Sequence, residues 1–167
     1  MNYFLIVFLL LFFSCTVLNT APKPELANIK YSNQKILDGK MVALKISDIR
    51  KSKKFSDEFR DLFTVILEKQ FKGYGAILDE KSSDVFELKF KNFDIANSNI
   101  GCTVIISYEV LYSSKHYRST VTKDQFPCIE KSHRKDLSTS TVNKMLVEID
   151  DWLKTTLLST DFAKKLP

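Results

Sequence analysis

Glycine and proline are scarce in this chain, with four of each in 167 residues. That scarcity excludes collagen-like repeats and Gly/Pro-rich low-complexity sequence. Histidine is scarcer still: His116 and His133 are the only two. No pair of histidines, cysteines or carboxylates shows zinc-ligand spacing such as H-x3-H or C-x2-C, so no metal site is expected. A G-x-S-x-G elbow, a P-loop, a Gly-rich dinucleotide turn and an H-E-x-x-H helix are all missing. The acidic doublets Asp57-Glu58, Asp79-Glu80 and Asp150-Asp151 do not replace them. Adjacent side chains on a helix diverge by about 100°, whereas acid–base work needs two carboxyls facing one another across a cleft. The sequence therefore predicts no catalytic residue and no cofactor, and the chain is not expected to be an enzyme.

A run long enough to cross a bilayer as a helix, about 20 apolar residues, is also missing. The longest, Tyr3 to Phe13, has eleven residues without charge, Gly or Pro. That is the length of the apolar region of a secretory signal, about 7–15 residues. Ser14 and Cys15 follow it directly. Cleavage before Cys15 and acylation of its thiol would anchor the protein stably, because two or three acyl chains hold where one is marginal. Two alternatives remain open. An ordinary signal peptide would be cut nearby, for example before Ala21, and an uncleaved anchor would extend to Leu18.

Composition is that of a globular domain, 44% hydrophobic with thirteen Phe and six Tyr, enough for one packed core. The net charge of +5 falls wholly after Ser14 and favours an anionic surface, such as lipid head groups or acidic polysaccharide. Export and the lack of a basic helix argue against nucleic acid.

Residues 1–14 are expected to be a signal peptide and 15–39 a lipidated, extended tether containing Ala21-Pro22-Lys23-Pro24. Residues 40–162 form one domain and 163–167 a tail. Met41–Ile46 alternates as a strand. Ser56–Lys72 predicts a helix, with Phe55, Phe59, Leu62, Phe63, Ile66, Leu67 and Phe71 on one broad face and Gly73 as its cap. Asp84–Phe93 and the central Cys102–Tyr112 read as strands, and His116–Phe126 as an edge strand. A closing helix runs from Ser138, Thr139 or Ser140 to about Leu158, with Trp152 at the core rim. The order β-α-β-β-β-α predicts an α+β two-layer sandwich: an approximately four-stranded mixed sheet with two helices on one face. Arg50–Lys54 and Lys131–Lys135 are read as charged loops.

With Cys15 assigned to the anchor, Cys102 and Cys128 remain, and an even pair in an exported domain invites a disulfide. A three-residue turn at Ser114-Lys115-His116 would place Cys102 opposite Cys128. A two-residue turn at Ser114-Lys115 would set Cys102 against Pro127. Two separate thiols are the alternative.

The signal, the Pro-containing tether and this element order together resemble the YajG-type family of bacterial lipoproteins. Leu67-Glu68-Lys69-Gln70 followed by Gly73-Tyr74 is the most suggestive local match. Val142, Leu146, Asp150 and Leu153, then Asp161-Phe162, are similar too. The resemblance implies an outer-membrane lipoprotein facing the periplasm, with Cys15 bearing the lipid and a protein or glycolipid partner. It carries no catalytic residues. The LptE-type lipoproteins, which help a β-barrel insert lipopolysaccharide, share the element order. On that reading the two basic loops would contact acidic sugars and phosphates.

Overall fold

A long, bent strand sets the architecture, and its bend is written in the spacing of its apolar residues. Phe86, Leu88 and Phe90 alternate, and then the step lengthens to Phe93 and Ile95. The computed structural model, which describes residues 17–50, 56–98, 101–128 and 130–163, places a β-bulge between Phe90 and Asn92. The extra residue returns Phe93 and Ile95 to the buried face, where an unbroken alternation would have turned them to solvent.

The elements are β1 (Val17–Thr20), a 3-10 turn (Leu26–Asn28), β2 (Met41–Asp48), α1 (Ser56–Gly73), β3 (Ile77–Leu78), β4 (Val85–Asn97), β5 (Cys102–Tyr112), β6 (Lys115–Gln125) and α2 (Lys131–Ala163). The described sheet has six strands, in the order β3-β2-β4-β5-β6, with β1 also on β4. β5 lines one edge of β4 from Glu87 to Asn97. The other edge is shared: β2 runs parallel to it over Val85–Phe90, and β1 runs antiparallel over Asp94–Asn97. The α+β class and the two helices on one face are as expected. The strand count is six rather than four, and the strand at the centre is β4 rather than Cys102–Tyr112.

Both helices cover the same face. Phe59 and Phe63 of α1 pack on Phe90 at 4.9 and 4.4 Å between ring centres, and Phe71 packs on Phe86 at 4.7 Å. Each such pair adds about 0.5–1.5 kcal/mol beyond area burial. Val142, Met145, Leu146, Ile149 and Leu153 of α2 join the same core. Trp152 sits at its rim, stacked on Tyr117 at 5.8 Å. Leu62 is only partly buried, so the apolar face of α1 is narrower than its periodicity predicts. Phe55 lies outside the described residues. α2 begins about seven residues earlier than expected, so Lys131–Lys135 is its first turn and not a loop.

The tether expectation fails from Val17 onward. Val17–Thr20 is a sheet strand, and Ala21, Ile29 and Leu37 are buried. The segment crosses both helices as a strap. Lys23 pairs with Glu58 of α1, and Lys135 of α2 pairs with Glu25 at 2.6 Å. The Ser32 amide donates to Gln70 Oε1 at 3.1 Å, and the Leu37 amide donates to the Tyr74 carbonyl at 2.9 Å. Gly73 matters here for closeness. A Cβ on it would stand 1.9 Å from the Ser32 carbonyl oxygen, which is backbone and cannot swing away. Gly73→Ala is therefore expected to push the strap off the end of α1 and cost about 1–3 kcal/mol. The check is faster amide exchange at Ser32 and Leu37 with β5 amides unchanged. Unaltered exchange along the strap would refute the contact.

Candidate functional site

The disulfide expected between Cys102 and Cys128 is formed, although neither a three-residue turn at Ser114-Lys115-His116 nor a two-residue turn at Ser114-Lys115 is present. Cys102 and Cys128 are bonded with their Cα atoms 5.6 Å apart. The turn has two residues, Ser113 and Ser114, at φ 51° and 61°, and Tyr112 pairs with Lys115. Positive φ at both positions is the hairpin turn that matches strand twist, a conformation usually supplied by Asn-Gly. Cys102 consequently faces Gln125. Cys128 reaches it from beyond the strand, after Phe126 and a cis Pro127. Closing a separation of 26 residues stabilises the fold by about 3 kcal/mol in the chain-entropy account.

Where the strap crosses α2, a cleft of about 650 Å³ opens against the edge strand β6. It is built from Lys30 on the strap, Lys123 on β6, and Asp136, Ser140, Asn143 and Lys144 on α2. Successive turns of α2 present these side chains because its apolar stripe, starting at Leu137 and Thr141-Val142, faces the sheet. Asn143 is held on both sides. Its Oδ1 accepts from the Lys30 amide at 2.8 Å, and its Nδ2 donates to the Asn28 carbonyl at 3.1 Å. The Lys123 ammonium donates to Ser140 Oγ at 2.5 Å. Among the described residues none of the three ammonium groups has a carboxylate partner. Three cations against the single carboxylate of Asp136, beside hydroxyl and amide groups, leave a net positive cleft that can receive an anionic, hydroxyl-bearing ligand.

The uncovered face of the sheet is different, because its charges are mutually satisfied. Glu109 on β5 is 7% exposed and is ringed by Arg118 and Lys91 at 3.3 Å and His116 at 3.4 Å. The Arg118 hydrogen bond, then those from His116 and Lys91, outweigh the opposing effect of burial and hold its carboxyl down at about 2. Glu87 is likewise set between Lys45 at 3.2 Å and Lys89 at 3.4 Å. Burial would raise its carboxyl, but bonds from Ser47 and Lys45 lower it on balance. Opposite charges on facing strands account for this face as sheet stabilisation.

The residues singled out from sequence scatter. Cys15 and Lys51–Lys54 lie outside the described residues. Arg50 is not an exposed contact: it is 5% exposed and paired bidentately with Asp48 at 2.6 and 2.7 Å. Lys135 is occupied by Glu25, whereas Lys131 and Arg134 line a second cleft of about 470 Å³ with Asn19, Thr20, Pro22 and Asn97. The lysine-lined cleft escaped sequence reasoning because it needs three distant segments. The one local hint was Lys30 and Asn28 standing in a stretch read as tether.

Comparison with family models and with curated proteins finds no match, so neither the YajG-type nor the LptE-type resemblance gains a family match. Solved structures do resemble the fold. Protein XCC0632 from Xanthomonas campestris, of the DUF330 family, aligns over 90% of this chain and 98% of its own, with a TM-score of 0.53 and 10% identity. A neuraminyllactose-binding hemagglutinin homolog from Helicobacter pylori aligns over 79% and 94%, with a TM-score of 0.47 and 10% identity. At such identity the first likeness shows a shared fold and nothing of function, and the second is too loose to carry an argument.

Proposed function

We propose that this chain is a lipid-anchored protein of the bacterial cell envelope, held by acyl chains on Cys15 to the outer membrane and facing the periplasm. It works by non-covalent binding and not by catalysis. The observation that carries this reading is the Cys102–Cys128 bond, because disulfides persist in oxidising compartments outside the cytosol. The run Tyr3–Phe13 ending at Ser14-Cys15 supplies the route there. The cleft between strap, β6 and α2 is where a partner would bind. Its three lysines among hydroxyl and amide groups suit an acidic glycolipid or saccharide. That chemistry also favours a second reading, an LptE-type accessory to a β-barrel that inserts lipopolysaccharide.

Intact-mass analysis of protein taken from membranes is expected to show a mature N-terminus at Cys15 with added acyl mass. Cys15→Ala should leave the protein unprocessed or release it to the soluble fraction. An unmodified N-terminus downstream of Cys15 would refute the anchor. Crosslinked pull-down from intact cells separates the two readings, since recovery of a large β-barrel selects the accessory role.

A further inference from the structure

The register of the sheet gathers four chain segments at one end of the domain. Val17 opens β1 opposite Asn97, Asn97 stands opposite Cys102, and Cys102 stands opposite Gln125. These four form a single row across β1, β4, β5 and β6. Beyond that row stand Phe126, which is 72% exposed, and after the disulfide the first turn of α2 with Lys131 and Arg134.

Cys15 precedes Val17 by two residues. At most about 7 Å of chain can separate their Cα atoms. The head-group layer on each side of a bilayer is about 5–8 Å thick. With the strap packed as it is, no slack exists to lift the domain away. An acylated Cys15 therefore brings this end of the sheet down to head-group level.

The chemistry of that end fits what it would meet. Lys131 and Arg134 line the 470 Å³ cleft beside Asn97, and among the described residues neither has a carboxylate partner. Among the described residues, the buried Arg134 Nε and Asn97 Oδ1 have no hydrogen-bond partner. Two acids stand at this end as well, Asp124 accepting from Thr103 Oγ1 at 2.5 Å and Glu130 accepting from Ser132 Oγ at 3.1 Å. A hydroxyl donor neutralises neither, so the attraction rests on Lys131 and Arg134 facing the head groups. Phe126 stands exposed at the same end, in a separate cleft with Thr103, Asp124 and Gln125, so this end carries both an aromatic and two cations, which suits a polar–apolar boundary.

We infer that this end of the domain, from Asn97 through Phe126 to Lys131 and Arg134, is seated on anionic lipid head groups of the membrane that holds Cys15. The inference rests on the acylation proposed above. The anchor then fixes orientation as well as location.

The test uses the full acylated chain in phosphatidylcholine vesicles, with and without phosphatidylglycerol, read by amide hydrogen exchange. Exchange over Gln125–Arg134 is expected to be severalfold slower on the anionic vesicles. Each cation near such a surface favours contact by roughly fivefold, so Lys131→Glu with Arg134→Glu should abolish the difference. Flotation with the vesicles and exchange of β5 amides should stay as in the parent, and Lys131→Ala with Arg134→Ala should fall between. An acylated, floating protein that exchanges alike on both vesicles overturns the inference alone. Protein without acyl mass refutes the anchor, and the inference falls with it. Equal protection by inorganic phosphate without vesicles overturns lipid docking in favour of a free-anion site.

Discussion

Ile66→Asp is expected to leave the domain unfolded, while Val65→Asp, one residue earlier on the same helix, leaves it nearly as stable as the parent. Ile66 is 0% exposed in the core between α1 and the sheet, and Val65, about 100° around the helix, is 39% exposed. An aspartate at 66 must either bury an unpaired charge or stay protonated, and either course costs several kcal/mol. The lost apolar packing adds to that, because deleting a buried Ile side chain costs about 2–5 kcal/mol. The sum is comparable with the whole stability of a domain, about 5–15 kcal/mol. At 65 the new carboxylate stays in water, and such surface changes fall within about 0.5 kcal/mol. Urea denaturation followed by circular dichroism reads both. Equal displacement of the two midpoints would show that the buried face of α1 is misassigned.

That face was legible because α1 is amphipathic over 18 residues, and a single period outweighs local noise. The bulge in β4 was less legible, because a strand ending at Phe93 accounts for the alternation of Phe86, Leu88 and Phe90 without it. The strap was not legible. Its buried residues, Ala21, Pro24, Ile29 and Leu37, are irregularly spaced and follow neither a helical nor a strand period, and its prolines suggest a spacer. What fixes it is tertiary: the close approach of Ser32 to Gly73 and the hydrogen bonds to Gln70, Tyr74 and Asn143. The start of α2 was hidden by its own polarity, because Lys131–Asp136 packs no apolar stripe and reads as loop. The hairpin turn was hidden by its residues. Two serines at positive φ cost more than Asn-Gly would, so composition points away from the turn that is there.

The candidate cleft was illegible for the same reason as the strap, and one basic residue misled in the opposite direction. Arg50 opens the run Arg50–Lys54, which by composition is a solvated or ligand-seeking loop. In the fold its guanidinium lies 3.7 Å above the Phe59 ring. It is clamped by Asp48 through Nε at 2.7 Å and a terminal nitrogen at 2.6 Å. Both side chains are under 5% exposed. Its nearness also works against the burial that raises the Asp94 carboxyl. A charge held this way is part of the core, and a partner cannot reach it.

Asp48→Ala should therefore be among the most damaging single changes, at about 3–5 kcal/mol, because it strands a buried guanidinium. The Phe59 ring cannot compensate, since a cation–π contact contributes at most about 2 kcal/mol and is present already. Arg50→Met should be damaging too, by taking away the guanidinium that meets both oxygens of the Asp48 carboxylate. The double variant Asp48→Leu with Arg50→Met removes both charges, so it should recover much of the loss, less what the larger leucine costs in packing. The large positive coupling between the two sites is the signature of a buried pair. Thermal or urea midpoints of the parent, both single variants and the double variant measure it. Additive losses would show that the pair is exposed after all, and Arg50 would return to the list of residues that an anionic partner can touch.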